Sequence, residues 1–206
     1  MSKSGSITAA GQNLWAKVPK ANSELFALTY GSLITELIRD YDQNIPEINN
    51  QLDRIGYSIG VRCIDELFAK SEVNGVQIPS CRELRETAEV VAKIGFRMFL
   101  GVSCDVGKLT EKSFSLYLSE NPLSIFVELP QNEVGVDGSS SHGPDWTQLK
   151  YSNVYCGVIR GALEQVNLKV ECEFVGDMLQ GDDVNEIKVE VKEVIADGAG
   201  EDYQEE

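Results

Sequence analysis

Two hydrophobic periodicities succeed one another along the chain, and their order limits what it can fold into. Up to about residue 100 the apolar residues recur at helix spacing. Beyond that point four short runs alternate apolar and polar residues, two before and two after a further helical stretch. Strands that do not alternate with helices cannot build a parallel sheet through βαβ crossovers. Clean alternation means one covered and one wetter face, which suits antiparallel pairing. The expected class is α+β, with helices packed on a four-stranded antiparallel sheet.

The helices have legible ends. "NSELFALTYGSLITELIRDYD" carries Leu25, Leu28, Leu33 and Leu37 among its apolar positions, with Asn22 or Ser23 as N-cap. "IPEINNQLDRIGYSIGVRCIDELFAKS" opens on Pro46, which suits a first turn. Gly56 and Gly60 lie one turn apart inside it. Each costs a helix roughly 1 kcal/mol against Ala, so a close packing partner is expected. A third helix covers about residues 81–100, and "YSNVYCGVIRGALEQV" is the fourth. The strand runs are "FSLYLS", "SIFVEL", "LKVECEFV" and "EIKVEVKEV". Residues 1–22 read as an irregular N-terminal arm, 23–196 as one domain, and 197–206 as an acidic C-terminal tail.

Composition excludes several functions. The chain has 206 residues, enough for one substantial core. No run approaches the roughly 20 apolar residues of a membrane span, and the first residues lack a signal-peptide pattern, so a cytosolic protein is expected. Net charge is −15, and the segment from residue 171 onward holds 13 acidic residues against two lysines. That surface repels nucleic acid. Five cysteines at 63, 81, 104, 156 and 172 form no C-x-x-C pair, and His142 is the lone histidine, which argues against a metal site and a disulfide framework. Cys63, Cys156 and Cys172 fall on apolar faces and read as buried, inert thiols. Tyr30 and Tyr41 read as packing residues, Trp15 and Phe26 as markers of an interface, and Arg160 as a subunit contact or a solvated side chain.

Cys81 is different. "SCRE" has the form of a capping box, in which Ser80 and Glu83 satisfy each other's backbone N–H groups. That would put Cys81 in the first turn of the third helix, where the dipole and Arg82 and Arg85 favour a thiolate. Leu84, Ala88, Val91, Ile94, Gly95, Met98 and Phe99 form a broad apolar face behind it. Two readings stay open at this point: a reactive sulfur at the mouth of an apolar channel, or a partly buried thiol beside surface arginines.

The blocks "ELFALTYGSLITELIRDY", "QLDRIGYSIGVRCIDELFAKS", "RETAEVVAKIGFRMFLGV", "NPLSIFVELP" and "YSNVYCGVIRGALEQV", in this order over residues 24–194, resemble the small-subunit family of the transport protein particle (TRAPP). The resemblance implies four helices on one side of a twisted antiparallel sheet. It implies pairing with other TRAPP small subunits through helices, or with a second copy in isolation. It implies a non-enzymatic place in a vesicle-tethering complex that exchanges guanine nucleotide on a Rab GTPase between the endoplasmic reticulum and the Golgi, peripheral to those membranes. It further implies a fatty acyl chain, palmitate, in thioester linkage on Cys81, in a channel lined by Leu84, Ala88, Val91 and Gly95, and no metal. Burying such a chain would contribute at most on the order of 12 kcal/mol, at roughly 0.8 kcal/mol per methylene. The chain departs from the family at Ser80, where a basic residue is common, and in the lengths of the loops before Cys81 and around "DGSSSHGPDW". Two other functions compete. An acyl-thioester enzyme would use Cys81 as nucleophile but lacks a general base, since His142 sits in a Gly/Ser-rich loop. A lipid-binding module would exchange free ligands.

Overall fold

The computed structural model describes residues 3–130 and 144–195. His142 and the acidic tail from residue 197 lie outside the described residues. Helix α2 (Ser23–Asp40) starts where expected: Asn22 caps it by accepting from the Leu25 N–H at 2.7 Å. Helix α3 (Ile45–Val73) has Pro46 in its first turn, and Asn44 caps it by accepting from the Glu47 N–H. Helix α4 (Leu84–Val90) runs through a π turn (Val91–Gly95) into helix α5 (Phe96–Leu100), making one rod. Helix α6 (Val154–Glu164) is the last among the described residues. The sheet comprises β1 (Asp105–Gly107), β2 (Ser113–Leu118), β3 (Leu168–Gly176) and β4 (Asn185–Val194), in the order β1-β2-β4-β3, antiparallel throughout. The α+β class holds.

Two expectations need correction. The N-terminal arm is not irregular: Lys3–Lys17 forms helix α1, so the helical layer has one rod more than expected. Ile7, Ala10 and Leu14 lie on one face at helical spacing and are buried, and that face supplies the driving force. "SIFVEL" is not a strand. Asn121 accepts from the Leu123 N–H at 3.1 Å and turns the chain at Pro122, leaving Ile125 and Phe126 exposed. The buried Asn121 amide also donates to Ser152 Oγ at 2.7 Å and accepts from Tyr155 Oη at 3.2 Å. That long-range anchoring overrides local strand propensity. The fourth strand is instead β1, a three-residue edge pairing Val106 with Leu116.

The main core lies between the helices and one sheet face. Phe114, Leu116, Ile187 and Val189 are fully buried there with Ala88, Ala92, Leu52 and Ile159. The opposite face carries Glu171, Glu173, Lys188, Glu190 and Lys192, with Lys192 bridging Glu171 and Glu190 at 2.8 Å each. α3 and α6 meet backbone to backbone. A Cβ on Gly56 would overlap the Val154 carbonyl, one on Gly60 the Val158 carbonyl, and ones on Gly157 and Gly161 the carbonyls of Asp53 and Tyr57. The close packing expected of Gly56 and Gly60 is therefore real. Arg160 serves the same contact: it pairs with Asp53 and lies 4.6 Å over the Tyr57 ring.

A second, smaller cluster joins Ile7, Ala10 and Leu14 of α1 to Leu67, Ile94 and Met98. Val76 and Ile78, on the segment leading to Cys81, pack against it half-buried.

Candidate functional site

Residues 76–83 run without regular structure from α3 to α4. The capping box does not form. The helix begins at Leu84, with Glu83 extended as a cap residue that makes no side-chain cap bond. The carboxylate role moves three residues on, and Glu86 reaches back to accept from the Arg82 N–H at 2.8 Å. Cys81 therefore precedes the helix, and it is the exposed one of the five free cysteines. Its sulfur contacts the Pro79 carbonyl at 3.7 Å.

The expected thiolate is also corrected. The Cys81 pKa is raised, first by desolvation; the Thr87 hydroxyl opposes this by hydrogen bonding, and the Glu86 charge reinforces it. Arg82 and Arg85 do not offset these effects. Burial pushes the Cys156 thiol up to about 12 and raises Cys63, Cys104 and Cys172 as well. The thiols differ in access, not in the sign of their shift.

Behind Cys81 the rod divides the two clusters. Leu84, Ala88, Val91, Ala92 and Phe96 face the main core, whereas Val90, Ile94 and Met98 face the second cluster. The π turn makes this division. A π turn inserts one residue and turns the rest of the rod back by roughly 100° relative to a plain helix. Its cost is a backbone group without an intrahelical partner, and Ala92 O is met here by the Cys104 N–H at 3.1 Å. In a plain helix Gly95 would share the line of Leu84, Ala88 and Val91. The turn rotates it off that line, toward the side of the rod that carries Thr87, whose hydroxyl bonds the Cys81 thiol. A Cβ on Gly95, which is half-buried, would meet nothing nearer than the Val90 carbonyl at 3.9 Å, so a small side chain would fit there without overlap. Ala88 is fully buried, and Leu84 and Val91 are half-buried beside it.

Two surface pockets, of about 530 and 640 Å³, lie elsewhere. The smaller lies among Ser23, Leu100, Pro122 and Ile125, the larger between Asn49, Arg160 and Glu173. Among the described residues no three His, Cys, Asp or Glu side chains are grouped to hold a metal, and no helix is long and apolar enough to cross a membrane. Tyr30 is buried and donates to the Tyr151 carbonyl at 2.6 Å, as a packing residue should. Leu25, Phe26 and Leu28 on α2 are exposed, by 66%, 46% and 57%, a row that intramolecular packing leaves uncovered. Trp15 is half-buried, its ring next to Gly101 and within 4.6 Å of Lys20 Nζ and 5.8 Å of Arg97 Cζ.

Helices on one face of a four-stranded antiparallel sheet, with an exposed thiol on the segment that enters the rod, define the class: an α+β protein of helices on a sheet. The chain belongs to the transport protein particle (TRAPP) component family, which matches residues 26–190. It is 47% identical over 189 residues to trafficking protein particle complex subunit 3 of Dictyostelium discoideum, covering 91% of this chain and 92% of that one. It is 37% identical over 198 residues to trafficking protein particle complex subunit BET3 of Saccharomyces cerevisiae, covering 95% and 94%. These relatives are named as subunits of a particle, not for a catalysed reaction. Among solved structures it matches trafficking protein particle complex subunit 3 from Naegleria fowleri, covalently bound to palmitic acid, at 44% identity and a TM-score of 0.72, over 85% of this chain and 98% of that one.

Proposed function

We propose that the chain is a non-enzymatic core subunit of a TRAPP vesicle-tethering complex, carrying a palmitoyl group on Cys81. One observation carries the second part: a protein of the same fold and 44% identity holds palmitic acid covalently, and Cys81 is the exposed cysteine here. The acyl chain leaves the sulfur at Thr87 and runs along the rod to Gly95 between the two clusters, with Leu84, Ala88 and Val91 as its wall on the main-core side. In the attachment step the Cys81 sulfur attacks the carbonyl carbon of a palmitoyl-coenzyme A. The bond to the coenzyme A sulfur breaks, and that thiolate takes up, through solvent, the proton that Cys81 gives up. The pairing partners are other TRAPP small subunits, and the exposed row Leu25, Phe26 and Leu28 offers them an apolar surface on α2. The assembled complex would act on a Rab GTPase in transport from endoplasmic reticulum to Golgi, peripheral to those membranes.

The test is the intact mass of the chain before and after hydroxylamine, with Cys81→Ser alongside. The expected result is one palmitoyl mass on the wild type, removed by hydroxylamine and absent from the variant. A wild type that stays unmodified after incubation with palmitoyl-coenzyme A overturns the acyl reading. Co-purification with other TRAPP small subunits tests the assembly reading separately.

A further inference from the structure

We propose that α1 is a gate on the acyl seat, and that its opening limits how fast Cys81 is loaded. The proposal rests on the acylation proposed above and adds a moving part to it. Three observations carry it. First, the rod carrying Gly95 packs between two clusters of different kinds. One is the main core, with Ala88, Ala92 and Phe96 locked against the sheet. The other is the second cluster, where Ile7, Ala10 and Leu14 of α1 meet Ile94 and Met98 of the rod beside Leu67 of α3. Second, α1 closes to backbone contact. A Cβ on Gly11 would overlap the Lys93 carbonyl in the π turn, so α1 and the rod touch backbone to backbone at this turn. Third, the same small cluster holds Val76 and Ile78, so the segment ending at Cys81 and the gate share one apolar contact and loosen together.

The joint is suited to movement. Residues 19–22 between α1 and α2 are exposed, and three buried side chains hold α1 down. A terminal helix anchored so lightly opens locally at far lower cost than the domain unfolds. Lys17, donating to the Asn74 carbonyl at 2.7 Å, and Trp15, against Gly101, are the latches at its other end. With α1 away, the Ile94–Met98 side of the rod is uncovered and a long acyl chain can be laid along the seam from the side. It need not be fed end-on past Thr87.

The experiment compares full-length wild type, Gly11→Leu and a chain lacking residues 1–19, each incubated with palmitoyl-coenzyme A and followed by intact mass. Gly11→Leu sets a side chain against the Lys93 backbone and undocks α1 without touching Cys81. The expected result is loading roughly tenfold faster in both variants. Hydroxylamine release of the loaded group should quicken by a similar factor, since a gate works in both directions. Amide exchange of residues 3–17 confirms the undocking in Gly11→Leu. Equal loading and release rates in all three chains overturn the gate and leave the acyl site standing. No acyl mass on any of the three overturns both.

Discussion

Glycine is used in opposite ways at the two helix seams of this molecule. Between α3 and α6, four glycines remove side chains so that backbones touch, and the missing Cβ atoms are replaced at once by carbonyls of the facing helix. At the seam between the two apolar clusters, Gly95 also removes a side chain, but nothing moves in to take the place. A glycine in a helix costs the same in either case. At the first seam the cost is offset by packing. At the second no overlap with a facing backbone offsets it, which accords with the lipid seat proposed above. The cysteines differ likewise: Cys156, next to Gly157 on the tight seam, is buried, and Cys81, on the segment before the rod that carries Gly95, is exposed.

The sharpest way to break this comparison is thiol labelling. Iodoacetamide at neutral pH should modify Cys81 first and Cys156 only on global unfolding, a rate difference on the order of a thousandfold or more. The thiolate is the reactive form. Because the Cys81 pKa lies above its ordinary value, its labelling rate should climb about tenfold per pH unit from pH 7 to 9 without levelling off. A plateau below pH 8 would mean that the arginines lower this pKa after all. Next in size is Gly56→Ala, which sets a methyl into the Val154 carbonyl. Overpacking against a backbone that cannot retreat should cost about 2–4 kcal/mol in denaturant unfolding. A loss under 1 kcal/mol would show that α3 and α6 can slide apart, and the tight seam would lose its distinction.

How far each seam could be read in advance differs too. The tight one was legible, because Gly56 and Gly60 stand a turn apart in a long helical pattern and small residues at that spacing have few other uses. Pro46, the Asn22 cap and the alternation through Val170, Cys172 and Phe174 were legible for the same reason: each depends on neighbours in sequence. The open seam was not. Its π turn depends on the Cys104 N–H reaching Ala92, and its second wall on α1, whose buried face is only Ile7, Ala10 and Leu14 in a stretch rich in Gly, Ser and Thr. Ser80 and Glu83 matched a capping box, but Glu86 made the bond to the chain ahead of the helix instead. The turn at Asn121 was hidden because Ser152 and Tyr155, far along the chain, hold its side chain.

Gly95→Ala gives the smallest effect and the finest test, because its sign should be opposite to that of Gly56→Ala. The backbone at Gly95 is right-handed helical, with φ −59° and ψ −63°, so alanine fits without strain. The nearest atom would be 3.9 Å away, so there is nothing to overlap. What remains is propensity, and alanine should stabilise the unacylated chain by about 0.5–1 kcal/mol. That is roughly 1–4 °C in melting temperature for a domain of this size. The acylated chain should gain less or lose, if the added methyl narrows the space proposed for its lipid. Denaturation of both forms, with and without the substitution, measures the difference directly. Equal stabilisation of the two forms would mean that the lipid does not pass over Gly95. Destabilisation of the unacylated form would mean that the space above it is already taken.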